Sequence, residues 1–113
     1  ATEFLSFVKN KLGTKRLKYI LNTDFCENVL FCSGSGGDFL YQMENTDYDT
    51  LVTADCKHNH FLDARDMGKN LIDAGHFETE AIALDHFIDL LKSKFSGLKI
   101  QKSIKNKSII KYL

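Results

Sequence analysis

The sequence contains no proline, where average usage predicts about five or six in a chain of 113 residues. Proline-rich linkers and cis-proline turns are therefore excluded. Cysteine is scarce: Cys26, Cys32 and Cys56 are the whole set. Their number is odd and no C-x-x-C occurs, which argues against a disulfide framework and against a cysteine zinc site. Reduced thiols in a cytoplasmic protein are the expectation. Net charge is also absent, because 15 basic and 15 acidic side chains cancel; bulk charge does not draw this chain to nucleic acid. No apolar run reaches the roughly 18 residues of a membrane-spanning helix, and no basic-then-apolar leader opens the sequence. The expectation is a protein without a membrane partner. The chain starts on Ala1, with a helix signal immediately behind it, as a piece excised from a longer protein would.

What is present is enough apolar material, 43% of residues, to fill one core, and the expectation is one domain over residues 1–113. Helix and strand signals alternate. Phe4, Leu5, Val8 and Leu12 recur at helical spacing until Gly13. Leu17 to Leu21 reads as a strand, and Asn22 to Glu27 as a polar turn. Val29 to Cys32 is a short continuous apolar run, as in a strand covered on both faces. Ser33-Gly34-Ser35-Gly36-Gly37 reads as a flexible turn, and Phe39, Leu40 and Met43 as a short helix. Thr50 to Thr53 is a third strand, Phe61 to Met67 a short helix closed by Gly68, and Leu71 to Asp73 a fourth strand ended by Gly75. Ala81, Leu84, Phe87, Ile88, Leu91 and Phe95 stripe a long helix over residues 77–95. Leu98 to Ile104 and Ser108 to Leu113 read as two further strands. This alternation predicts an α/β fold, a single layered domain with a mixed, mostly parallel sheet flanked by helices.

Charge is segregated although it sums to zero. Asp38, Glu44, Asp47, Asp49 and Asp55 form a stretch without Lys or Arg, and the residues after Gly97 carry lysines and no acid. The lysines have no interleaved aromatics on which bases could stack. They read as guards of exposed strand edges rather than as a nucleic-acid surface.

Three features carry possible chemistry. His76 and Glu80 open the long helix four residues apart, so they share one face about one turn apart. An imidazole nitrogen and a carboxylate oxygen at that spacing suit a first-row divalent ion. The position also suits an α/β fold, in which ligands gather beyond the carboxyl ends of strands. The plainer alternative is a solvated pair at a helix start, with Glu78 serving the helix dipole. Asp55-Cys56-Lys57-His58-Asn59-His60 follows the third strand, and Asp55, His58 and His60 are candidate acid/base groups or partners of a metal-bound residue. The alternative is a polar loop with Asp55 or Asn59 capping the next helix. In the glycine-serine loop, Gly34, Ser35 and Gly36 are candidates to present backbone N–H groups to a phosphate. That loop lacks the full dinucleotide pattern and any P-loop lysine, so a tight strand-to-helix connection explains it as well. His86, in the middle of the long helix, reads as structural.

Taken together, Cys32-Ser33-Gly34-Ser35-Gly36-Gly37, Thr53-Ala54-Asp55 with Lys57, and Leu71-Ile72-Asp73-Ala74-Gly75-His76-Phe77-Glu78-Thr79-Glu80 resemble, in order and spacing, the C-terminal half of one family. It is the NGG-one-interacting-factor-three-like family, also known as GTP cyclohydrolase I type 2 homologues. The resemblance spans roughly residues 29–80, and the glycine-histidine-x-x-x-glutamate block is its most specific part. Three positions depart from the pattern: the family usually has glycine where Ser33 and Ala54 stand, and commonly histidine where Asn59 stands. The resemblance implies a dinuclear site for divalent metal ions (Zn, Mn or Fe) in a ring-shaped hexamer. His76 and Glu80 match the ligands supplied by the C-terminal half. The remaining family ligands, a histidine pair followed by proline and a later aspartate, belong to the N-terminal half. This proline-free chain has no such block, so the resemblance implies that it is the C-terminal half of a longer protein and holds half of a metal site. The function implied is metal-dependent hydrolysis of a nucleotide; the alternative is a non-enzymatic metal-holding or protein-binding ring component.

Overall fold

The computed structural model describes all residues, 1–113. Helix α1 (Thr2–Leu12) ends where Gly13 takes a left-handed conformation, φ 65°, and its N–H closes back on the carbonyls of Asn10 and Lys9. Without a Cβ, glycine occupies that conformation at no steric cost. Strands β1 (Lys18–Ile20) and β2 (Val29–Ser35) follow, then a 3-10 helix (Gly37–Met43), strand β3 (Thr50–Ala54), helix α2 (His58–Asp66), strand β4 (Asn70–Asp73) and helix α3 (His76–Lys94). The sheet order is β1-β4-β3-β2. β2, β3 and β4 run parallel, and β1 is antiparallel to β4. This is the mixed, mostly parallel α/β sheet that the alternation of signals predicts.

The central strands explain the layering. Every residue of β3 and β4 is buried, and alternate side chains leave the sheet on opposite faces. Leu51 and Leu71 join Leu40, Met43, Cys56 and Ala64 beneath α2 and the 3-10 helix. Val52 and Ile72 meet Leu5, Val8 and Ala74 beneath α1. No helix is long and apolar enough to cross a membrane.

Four expectations need correction. β2 is an edge strand, and Phe31 within it is 48% exposed; a continuous apolar run marks burial on both faces only where packed elements cover both faces of the sheet, and at β2 Phe31 instead lines an open groove. The glycine-serine segment is not simply a turn, because Ser33 to Ser35 continue β2 through a register shift, with Gly34 at φ 65°. α2 begins at His58 rather than Phe61 and is capped by neither Asp55 nor Asn59: the Lys57 N–H donates to Nδ1 of His60. The two strands expected beyond Gly97 do not form. Leu98, Ile104, Ile109 and Ile110 stay exposed, since strand patterning creates a strand only where a sheet edge offers the partner hydrogen bonds. The tail instead returns by side chains, with Lys102 on Asp85 at 2.6 Å and Arg16 stacked 4.8 Å from the Tyr112 ring.

Candidate metal centre

The site forms where β2, β3 and β4 reach their carboxyl ends. Two turns deliver its side chains. After β3, Asp55 adopts φ 55°, a left-handed conformation that a short polar residue tolerates. After β4, Gly75 at φ 94° opens α3, and the first helical residue is His76. The two turns bring Asp55 Oδ2 to 2.6 Å from His76 Nδ1. On the other ring nitrogen, Nε2, stands Glu80 Oε1 at 3.1 Å. His76, Glu80 and Asp55 are all solvent-accessible.

This arrangement has a definite electrostatic consequence. With Nδ1–H donating to Asp55, a neutral imidazole would aim its Nε2 lone pair at an anionic oxygen of Glu80. That contact is favourable only when a positive charge sits between the two atoms. A proton can supply it, and the His76 pKa is accordingly raised, first by the hydrogen bond to Asp55 and then by the Glu80 charge. A divalent cation can supply it equally, with Nε2 and Oε1 as its ligands and Asp55 orienting the ring through Nδ1. The two donors therefore fit a metal, as half of a first coordination shell. No group of three or more His, Cys, Asp or Glu side chains is arranged to hold an ion, and two ligands by themselves do not complete a coordination shell.

Gly34 closes the remaining wall. A Cβ there would lie 2.9 Å from Glu80 Oε1 and 3.4 Å from His76 Cε1. Its backbone is clamped from both sides: the Gly34 N–H donates to Thr79 Oγ1 at 2.9 Å, and the Thr53 hydroxyl donates to the Gly34 carbonyl at 3.0 Å. Thr79 is fully buried. The N–H groups of the glycine-serine segment are thus not all turned to solvent, and Gly34 works as the place where β2 passes close to α3. Ser35 pairs in register with Ala54, and Gly36 accepts the Phe39 N–H.

The other sequence candidates lie apart from the imidazole-carboxylate pair. Both ring nitrogens of His60 are engaged, Nδ1 by the Lys57 N–H at 3.1 Å and Nε2 with Asp38 Oδ1 at 3.0 Å; its side chain is 6% exposed and packs against Gly37. His58 is exposed and lines an open cleft of about 580 Å³ together with Lys18, Tyr19, Ile20, Cys56 and Phe61. Burial, then the nearby Asp73 charge, pushes the Cys56 thiol up to about 12, so it remains a protonated packing group. His86 is exposed on α3. Sequence reasoning singled out neither Thr79 nor Asp73 for a role at the site. Both are polar residues at the joint of a strand end and a helix start, and no spacing rule distinguishes such residues from ordinary capping groups.

An open α/β sheet with a solvent-accessible imidazole-carboxylate pair at its carboxyl edge is the class these observations define. The chain belongs to the family Duf34/NIF3 (NGG1p interacting factor 3), whose pattern it matches over residues 1–108. It is 33% identical over 94 residues to a GTP cyclohydrolase 1 type 2 homolog of Nostoc sp., covering 80% of this chain and 36% of that relative. A homolog of the same name from Staphylococcus aureus is 29% identical over 108 residues, or 95% of this chain and 29% of the relative. The chain therefore spans about a third of the length of the curated relatives it matches. The crystal structure of a Staphylococcus aureus hypothetical protein superposes with a TM-score of 0.84 at 26% identity, over 98% of this chain and 38% of that one. A Thermus thermophilus structure gives 0.68 at 28% identity, over 80% and 36%.

Proposed function

We propose that this chain is the C-terminal portion of a dinuclear metal-binding protein and that His76 and Glu80 are its ligands for one divalent ion of the Zn, Mn or Fe class. The observation that carries this reading is the 3.1 Å approach of His76 Nε2 to Glu80 Oε1, with Asp55 fixed on Nδ1. The rest of the ligand set, and a ring-shaped hexamer around it, are assigned to the portion of the relatives that this chain does not span. The name of the relatives, GTP cyclohydrolase 1 type 2 homolog, supports a metal-dependent hydrolase acting on a nucleotide or similar phosphate-bearing substrate. A bound metal pair lowers the pKa of water and clamps developing oxyanions. Around it, Asp55 holds the imidazole, His58 stands exposed at the neighbouring cleft to trade protons with solvent, and His60 contributes by starting α2. Gly34, Ser35 and Gly36 set how closely β2 passes the site, which leaves a phosphate only the backbone groups not already paired.

A second reading is a non-enzymatic ring component. It is favoured by an apolar groove of about 420 Å³ between α1 and β2, lined by Phe4, Phe7, Val29 and Phe31 among others. Two measurements separate the readings. Elemental analysis of the complete protein should show less metal in His76→Ala and in Glu80→Ala, with the fold kept; unchanged stoichiometry in both removes the site. Metal-dependent turnover of GTP or another nucleotide that disappears in Glu80→Ala supports the enzyme, whereas tight metal without turnover supports the ring component.

A further inference from the structure

Asp73 is 4% exposed and ends β4, paired in register with Thr53 of β3 and Lys18 of β1. Its carboxylate touches neither His76 nor Glu80, yet it is bound to both turns that carry the site. Oδ2 accepts the Cys56 N–H at 3.0 Å, one residue after Asp55. Oδ1 accepts the Gly75 N–H at 3.2 Å, one residue before His76. The Lys18 ammonium lies 2.8 Å from Oδ2 and its charge compensates a carboxylate that burial would otherwise penalise.

Each turn passes through a left-handed residue, Asp55 and Gly75. Neither conformation is held by the regular ladder, so each depends on local partners. One rigid, charge-compensated carboxylate accepting an N–H from each turn fixes their relative position. The quantity fixed is the separation of Asp55 Oδ2 and His76 Nδ1, 2.6 Å.

We infer that Asp73 is a positioning residue: by holding the Cys56 and Gly75 amides on one carboxylate, it sets the Asp55–His76 hydrogen bond and hence which imidazole nitrogen faces Glu80. This rests on the metal reading only for the use to which Nε2 is put. A role confined to strengthening the sheet end would lower stability and leave the imidazole unchanged.

The test follows the His76 Nδ1–H resonance of the metal-free protein, assigned by its loss in His76→Gln. Wild type should show one low-field, slowly exchanging imidazole proton. Asp55→Asn should abolish it, and Asp73→Asn should move it upfield and speed its exchange while the circular dichroism spectrum is kept. In zinc titrations of the complete protein Asp73→Asn should weaken binding about tenfold, within the range known for partners of metal-bound histidines. On the Asp55→Asn background, Asp73→Asn should add no further loss. If Asp73→Asn fails to fold, Lys18→Met replaces it: the change lies on an exposed side chain, removes the cation from Oδ2, and should produce the same upfield movement at smaller amplitude. An unmoved resonance in the variant that folds overturns the inference. So does an equal tenfold loss on both backgrounds, because Asp73 would then act independently of Asp55. A complete wild-type protein that shows the resonance and takes up no zinc would end the metal reading and leave the positioning role standing.

Discussion

Gly34 and Glu80 are separated by 46 positions in sequence, yet a single added methyl group on Gly34 would stand 2.9 Å from the Glu80 carboxylate oxygen. Gly34 also holds φ 65°, a conformation that costs a residue with a Cβ roughly 1–2 kcal/mol. The obstructing atom is the end of a flexible side chain, so the fold can yield by moving Glu80. Gly34→Ala should therefore lower stability by about 1–2 kcal/mol in a urea titration and lower metal uptake by a larger factor than that destabilisation explains. Metal content equal to wild type would show that Glu80 does not need the space.

In the proposed metal site, proton and metal would compete for Nε2 of His76, the nitrogen that faces Glu80. Its pKa is raised, first by the Asp55 hydrogen bond, so the protonated ring persists to higher pH than a free imidazole, near 6.5. In the metal-free protein the stabilising contribution of this contact is fully present below about 6.5 and is lost as pH rises through the raised value. Metal affinity runs the opposite way and should fall as pH drops through that value. Asp55→Asn should shift the midpoint of the affinity profile downward, measured by zinc titration across pH 5–8; an unshifted midpoint would show that Asp55 does not govern the imidazole.

Asp49 carries a structural role at the other end of the sheet. It is 7% exposed, and its Oδ2 accepts the N–H groups of Glu27 and Asn28 at 2.9 and 2.7 Å. Burial works to raise its pKa, but the Thr50 hydroxyl, those two amides and the Lys69 charge outweigh it and hold the carboxyl below its usual 3.8. Its stabilisation is thus present above the ordinary carboxylate range and is lost as pH falls through the lowered value. Asp49→Ala orphans two backbone donors and should cost about 2–4 kcal/mol at neutral pH. Its urea midpoint should also depend less on pH between 5 and 2 than that of wild type. A cost below 1 kcal/mol would mean that water satisfies those amides.

His60 offers a control on the candidate site. Because its ring accepts the Lys57 N–H and fills the space beside Gly37, His60→Ala should destabilise the protein by about 1–2 kcal/mol, the cost of losing a helix cap. Metal content at low temperature should remain unchanged. Loss of metal from a folded His60→Ala protein would place His60 closer to the chemistry than its two hydrogen bonds do.

Much of this molecule can be read before folding. Helical spacing marks α1 and α3 nearly to the residue, and Gly13, Gly68 and Gly75 punctuate where they should. The His76–Glu80 spacing, and the family resemblance carried by residues 71–80, single out the imidazole-carboxylate pair, because one helical turn alone sets that geometry. β2 is less legible: Val29 to Cys32 are as apolar as a central strand, and only the absence of a neighbour on one side makes β2 an edge. The tail beyond Gly97 is patterned like two strands and is neither, for want of a ladder to join.

Local spacing thus determined the helices, the fold class and the two residues that face each other across one turn of α3. Tertiary structure decided everything that depends on long-range closure. It placed Asp55 on His76, made Asp73 the joint of two turns, brought Gly34 against Glu80, and gave His60 to a helix cap. The reason is one of range: i,i+4 contacts follow from helix geometry alone. A carboxylate that gathers amides from two separate turns exists only once the sheet has brought β3 and β4 into register.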